Sequence, residues 1–140
     1  MQTPQLWLIK FAPFRTAWEE IVARGNFTLR GVRNLEARKN LNDMRLGDHV
    51  LFYRSQKDQA VVGILEVSQE AYPDPTSAAD IWLTCDFKPI RTLSRPVTLT
   101  TLRQDPRLED IPLLRQPRLA VMPLSQIAFA LILEKSHEPS

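Results

Sequence analysis

The chain holds one cysteine, Cys85, two histidines and four glycines among its 140 residues. A lone cysteine cannot close an intramolecular disulfide, so the chain does not read as a small secreted scaffold, and a reducing cytoplasm is the expected compartment. With only His49 and His137 available, neither a histidine-based triad nor a metal cluster is readily assembled. Four glycines also leave no phosphate-cradling glycine loop. The longest apolar stretch, Ile127 to Leu133, is far short of the roughly 20 residues that span a bilayer. The start, Met1 to Gln5, lacks the basic and apolar regions of a signal peptide. No metal, cofactor or membrane partner is expected.

What is present is an ordinary globular composition, 44% hydrophobic and 24% charged, which excludes a disordered chain. The length predicts one domain over 1–140, burying about two thirds of its unfolded surface, with 136–140 frayed. Charge is unevenly placed. Residues 24–57 carry eight Lys/Arg against three Asp/Glu, leaving ten against thirteen elsewhere, so the net +2 conceals one basic segment on a slightly acidic body. Such a segment is the footprint of a surface that meets phosphate.

Leu6 to Phe11 reads as a buried strand stopped by Pro13. Thr16-Ala17-Trp18-Glu19 has the capping-box pattern and predicts a helix from Ala17 to Arg24, ended by Gly25, with Trp18, Ile21 and Val22 on its packing face. Asn34 is placed to cap a second, surface helix from Leu35 to about Met44. Gly47-Asp48 turns into a strand over His49 to Arg54, with Val61 to Val67 as its hairpin partner. Tyr72 to Ser77 reads as a loop, Ile81 to Phe87 as a strand continued at Ile90 to Leu93, and Thr101 to Gln104 as a helical turn. Arg107 to Pro117 reads as a connecting loop, and Leu119 to Met122 as a strand ended by Pro123. Ser125 caps a last helix, Gln126 to Lys135, docking through Ile127, Ala130, Leu131 and Glu134. Many strands without regular strand–helix alternation predict an α+β fold with a small, largely antiparallel barrel or strongly curved sheet.

Within the basic segment, Arg33 and Arg38 offer planar donor forks for phosphate or else bond loop carbonyls. Asn34 can read a base edge, cap the following helix, or do both. Tyr53 can stack on a base with Ser55 pointing the same way, or sit in the core with its hydroxyl satisfied. Trp18 lies on a helix face, where packing is the commoner role, and Trp7 and Trp82 read as core. Arg54, Lys39 and Lys57 can extend a backbone-contact track or simply solvate the surface, and Arg118 starts a strand that approaches the same region. Asp43, Asp48 and Asp74 each sit in a turn, where Asp is locally favoured, and Cys85 lies in a strand among apolar neighbours, so catalysis is not expected.

The series Trp7-Leu8-Ile9-Lys10, Gly31-Val32-Arg33-Asn34, Ala37-Arg38, Asn40-Leu41, Gly47-Asp48, Leu51-Phe52-Tyr53, Ser55, Val62-Gly63-Ile64, Ala71 to Thr76, Arg95 to Leu99 and Arg118-Leu119 resembles the EVE domain across nearly the whole chain. EVE domains are PUA-like and similar to YTH domains. The resemblance implies a pseudo-barrel of about five or six mostly antiparallel strands with flanking short helices. It also implies a non-catalytic module that holds a modified base of DNA or RNA, such as a methylated or hydroxymethylated cytosine or adenine. The alternative is a module that binds a small molecule or protein in the same pocket. By this resemblance Lys10, Phe11, Leu29 and Val32 join Trp18, Arg33, Asn34, Arg38, Tyr53, Arg54, Ser55 and Arg118 as site residues, in a chain expected to be a monomer. Two departures fall at the pocket. Where the family has Lys-Ser-Glu-Pro the chain has Lys10-Phe11-Ala12-Pro13, and where it has Trp-Asp before Gly-Val-Arg-Asn the chain has Leu29-Arg30.

Overall fold

The computed structural model describes residues 5–12, 15–79 and 81–137. The apolar run at the start forms β1 (Leu6–Phe11), with Trp7, Leu8, Ile9 and Phe11 buried. It pairs in parallel with β3 (His49–Arg54), setting Leu8 opposite Leu51 and Phe11 opposite Arg54, and antiparallel with β6 (Val121–Leu124) on its other side. A parallel pair requires a long crossover, supplied here by α1 (Trp18–Arg24), the two-residue β2 (Phe27–Thr28) and α2 (Leu35–Asp43). β3 leads by a hairpin into β4 (Ala60–Pro73), and β4 runs antiparallel to β5 (Leu83–Thr98), against whose first half β2 lies. The order is β2-β5-β4-β3-β1-β6. The fold is therefore α+β on a six-stranded mixed sheet whose other pairings are antiparallel. The helices are short, α3 (Leu99–Arg103), α4 (Pro112–Arg115) and α5 (Gln126–Lys135) completing the set, with a 3₁₀ turn at Pro106–Leu108.

Several expectations are corrected. The first helix starts one residue late, at Trp18, so Thr16 stands outside the cap position; Ala17 occupies it without a side-chain bond, and the Thr16 hydroxyl donates to the Arg15 carbonyl instead. Val22 faces solvent. α2 is not confined to the surface: it buries Ala37, Asn40 and Leu41, and Asn40 is tolerated there because its amide donates to the Val121 carbonyl at 2.7 Å. The two strands expected over 81–93 are one long β5 that passes Pro89 and Pro96, made possible by register shifts against β4. Pro123 does not end β6 but lies within it, opposite Trp7, where an edge strand can forgo a donor. Segment 107–117 contains the short α4, not only loop. The last helix is capped as expected, the Ser125 hydroxyl accepting from Ala128, but it docks through Ala128, Phe129, Leu131 and Ile132, leaving Ile127, Ala130 and Glu134 outside.

The packing that matters for the site is an aromatic cluster on one side of the sheet. Phe27 meets Phe11 edge-on at 4.9 Å between ring centres and Phe52 at 5.7 Å, Trp18 meets Phe52 at 5.4 Å, and Phe87 lies 6.3 Å from Phe27. Edge-to-face pairs contribute about 0.5–1.5 kcal/mol each beyond area burial. They join the end of β1, α1 and β2 into one rigid wall.

Candidate functional site

Beyond Phe11 the chain leaves β1, and the helix and strand that follow return it to the same end of the sheet. Between them lies a cleft of about 330 Å³. Phe11 and Phe27 form its floor, Thr16, Asn26 and Thr28 supply polar groups, and Arg15, Arg24 and Arg30 supply three guanidinium groups. No carboxylate is among these residues. The Arg15 guanidinium stacks 4.6 Å from the centre of the Phe11 ring and donates to the Arg30 carbonyl at 3.1 Å, so it is held in place before any ligand arrives. A second cleft of about 160 Å³ shares Thr16 with the first and is lined by Trp18, Phe52 and Arg54.

The loop beside the first cleft, Gly31 to Asn34, is held from beneath. Gly31 has φ +86°, a left-handed conformation, and the Arg15 guanidinium lies 3.2 Å from where a Cβ would stand. The Gly31 amide donates to Asp74 at 2.9 Å, and the Arg33 guanidinium donates to the same carboxylate at 3.1 Å and to the Val32 carbonyl at 2.9 Å while lying over Trp82. Val32 is buried, and the Asn34 side chain accepts from the Ala37 amide at 2.9 Å, capping α2. Arg38 donates to the Ile81 carbonyl at 3.2 Å. The loop is thus clamped to the turn between β4 and β5.

Asp74 is the centre of that clamp. Burial acts to push its carboxyl up, but hydrogen bonds from the Thr76 hydroxyl, the Gly31 and Thr76 amides and Arg33 outweigh burial and hold it well below the ordinary carboxylate range. A carboxyl lowered by folding contributes stability that is complete above its unfolded value, about 3.9, and is lost as pH falls toward the folded one. Asp74→Asn should therefore cost about 2–3 kcal/mol at neutral pH, and its urea midpoint should converge on that of the parent as pH falls from about 5 to 2. Parallel acid profiles of the two proteins would contradict this role.

The remaining sequence-selected residues are dispersed around this centre. Lys10 donates to the Pro117 carbonyl at 2.7 Å, and burial lowers its ammonium below the usual lysine value. The Trp18 indole donates to the Thr92 hydroxyl at 2.9 Å. Leu29 is buried, its carbonyl bonded by the Thr84 hydroxyl. Tyr53 is only 1% exposed, its hydroxyl donates to Gln59 at 2.9 Å, and burial pushes it up to about 12 against the opposing charge of Arg103. Arg54 donates to the Asp58 carbonyl, the Ser55 amide to the Phe11 carbonyl, and Arg118 is exposed. The fold brings Phe11, Trp18 and Arg54 to the two adjoining clefts and turns Tyr53, Leu29 and Val32 inward. Sequence reasoning did not select Arg15, Arg24, Asn26, Phe27 or Thr28. Their signal was available in part, since Arg24 opens the basic segment, and both departures from the family pattern that reach the cleft, Phe11 and Arg30, line it directly.

A family model for the EVE domain matches residues 5–135. Human thymocyte nuclear protein 1 is 31% identical over 134 residues, covering 79% of this chain and 60% of the human protein, so the chain spans well under two thirds of that relative's length. A crystal structure of an Agrobacterium tumefaciens protein superimposes with TM-score 0.92 at 32% identity over 95% of this chain and 93% of that one. The human THYN1 protein, solved in complex with 5-methylcytosine containing DNA, superimposes with TM-score 0.87 at 26% identity over 97% of this chain and 99% of that one. The fold also matches a YTH domain from Zygosaccharomyces rouxii, TM-score 0.61 at 15% identity. With the family model spanning almost all of its length, the chain belongs to the EVE domain family.

Proposed function

We infer that the chain is a non-catalytic module that holds a modified base of DNA or RNA in the cleft floored by Phe11 and Phe27. The observation that carries this reading is the cleft itself, with aromatic floor, polar wall and three arginines side by side. A methylated or otherwise modified base can be read only once it leaves the stack and enters a cavity offering apolar faces and hydrogen-bond partners. Membership in a family with one member solved on 5-methylcytosine DNA supports the assignment. In this reading Trp18 and Arg54 serve the adjoining cleft, and Arg38 and Arg118 contact the nucleic-acid backbone. Lys10, Leu29, Val32, Arg33, Asn34, Tyr53 and Ser55 hold the walls in position. Catalysis has little to draw on: the buried Cys85 thiol is pushed up to about 12, chiefly by burial, and is no nucleophile at neutral pH.

The test is fluorescence polarisation with matched single- and double-stranded oligonucleotides carrying cytosine, 5-methylcytosine, 5-hydroxymethylcytosine or N6-methyladenine. One modified base should bind more tightly than its unmodified counterpart. Affinity should fall with salt at a logarithmic slope of about −0.7 to −0.9 per phosphate neutralised. Equal binding to all four would sink the modified-base reading. Affinity indifferent to salt, or no binding, would instead favour a small-molecule or protein ligand.

A further inference from the structure

The cleft has more guanidinium donors and positive charge than one neutral base can satisfy. Arg15 is fixed by its stack on Phe11 and its bond to the Arg30 carbonyl. Among the described residues Arg24 is held only by an exposed Glu20 at 3.4 Å, one turn away on α1, a pairing that contributes about a few tenths of a kcal/mol and is readily given up. Arg30 has no ion-pair partner among the described residues, and its side chain reaches the same wall. Asp86, behind Thr28, accepts from the Thr28 hydroxyl at 2.8 Å and the Tyr72 hydroxyl at 2.5 Å; these neutral donors leave its charge in place, so it offsets at most one of the three guanidinium groups. The polar groups that remain, Thr16, Asn26 and Thr28, carry no charge.

An exocyclic amine on a base donates, and carboxylate, amide or hydroxyl oxygens accept from it; here Asn26, Thr16 and Thr28 offer only neutral acceptors. Among the described residues no carboxylate lines this cleft. A guanidinium fork matches a carboxylate, with two parallel charge-assisted bonds. At about 330 Å³ the cleft lies at the lower end of the range of ligand sites, room for one base and a small substituent. Resting on the base-binding reading above, we propose that the cleft selects a base that carries an anionic substituent on its outer edge, a carboxylate at C5 of a pyrimidine being the best match, with Arg30 as the specificity-determining residue. The flipped nucleotide's own phosphates are the other anions that could meet these arginines. The two sources separate experimentally: a phosphate contact weakens every oligonucleotide alike, whereas a base contact changes preference.

The experiment is fluorescence polarisation of the full chain at constant salt and pH 7.5. The single-stranded probes differ at one central position: 5-carboxylcytosine, 5-methylcytosine, cytosine, N6-methyladenine or an abasic site. The 5-carboxylcytosine probe should bind at least tenfold more tightly than the 5-methylcytosine probe. Arg30→Gln should reduce that ratio to twofold or less, and Arg30→Asp should reverse it, since a carboxylate there repels the substituent and accepts from the cytosine amine. Because Arg30 is exposed, circular dichroism should be unchanged in both variants. If 5-methylcytosine or N6-methyladenine binds as tightly as 5-carboxylcytosine while exceeding cytosine and the abasic probe, the anionic selectivity is refuted and base reading stands. If Arg30→Gln weakens all probes equally, Arg30 serves phosphate and the proposal falls. Identical binding of all five probes by the parent chain removes both this proposal and the base-binding reading beneath it.

Discussion

Gly63→Ala should lower the stability of the protein by about 3 kcal/mol, at the upper end of what one added carbon costs in a packed interior, and its melting temperature by roughly 10 °C. Gly63 lies within β4, and a Cβ there would stand 2.1 Å from Cζ2 of Trp18, 2.4 Å from Cη2 and 2.5 Å from Cε2. The indole therefore rests directly on the strand backbone. It cannot lift away cheaply, because its Nε1 donates to the Thr92 hydroxyl at 2.9 Å and its ring packs on Phe52 at 5.4 Å. Yielding on the strand side instead would disturb a β4 already irregular at this point, where its pairing shifts register between Val61 and Gly63. Urea unfolding of Gly63→Ala, Trp18→Leu and the double variant measures the coupling. The double variant should be more stable than the sum of the single losses predicts, by 1 kcal/mol or more. Gly63→Ala unfolding at the parent's midpoint would refute this account. The same substitution should weaken ligand binding, since the Trp18 ring is a wall of the smaller cleft and Thr16, next to it in that wall, is shared with the larger.

This contact also marks what the sequence made legible. β1 could be read because a short apolar run before a proline has few alternatives, and α5 because Ser125 stands one residue before a helical pattern. The parallel pairing of β1 with β3 left no local trace, since its partner lies across two helices. From sequence alone β5 divides in two, because Pro89 and Pro96 punctuate it, and only the irregular pairing with β4 explains how one strand carries both. The sequence does not locate the docking face of α5, because every residue from 127 to 133 is apolar and periodicity has nothing to discriminate. At the site, Gly-Val-Arg-Asn was conspicuous, and the structure shows how its groups are engaged: a left-handed glycine, a buried valine, an arginine paired to Asp74 and an asparagine capping α2. What the loop presents to the cleft comes from its flank, Arg30, and from Arg15 and Arg24. Those arginines could not be told from solvated surface charge, because nothing in the sequence sets Arg15 on Phe11 or faces α1 toward β2. The departures from the family pattern were more informative than the agreements: Phe11 and Arg30 differ from it and line the cleft, whereas Arg33 and Asn34 match it and hold the scaffold.

Asp48→Ala should be the most destabilising single truncation at the opposite end of β1, by about 3–5 kcal/mol, a large part of the 5–15 kcal/mol by which a domain of this kind is stable. Asp48 is 3% exposed, and its side chain accepts three hydrogen bonds, from the Trp7 indole at 3.0 Å, the Gln5 amide at 3.0 Å and the Arg45 amide at 2.9 Å. Its own carbonyl accepts from the Val67 amide at 2.9 Å, so one residue ties the start of β1, the turn after α2 and strand β4 together. Alanine would orphan three N–H donors, each costing about 1–3 kcal/mol if left buried without a partner. The sum is reduced because the chain near Gln5 is at the surface and water can serve its amide. Trp7→Phe removes the indole donor, so the double variant should lose less than the two single losses combined. The urea m-value should be unchanged, which separates lost stability from altered compactness. Asp48→Ala within 1 kcal/mol of the parent would show that this carboxylate is dispensable. The consequence for function follows from register: β1 is aligned with β3 from Leu6 opposite His49 to Phe11 opposite Arg54. Slackening the Asp48 end frees the strand that carries Phe11 to the floor of the cleft, so the variant should bind oligonucleotides less tightly even under conditions where it remains folded.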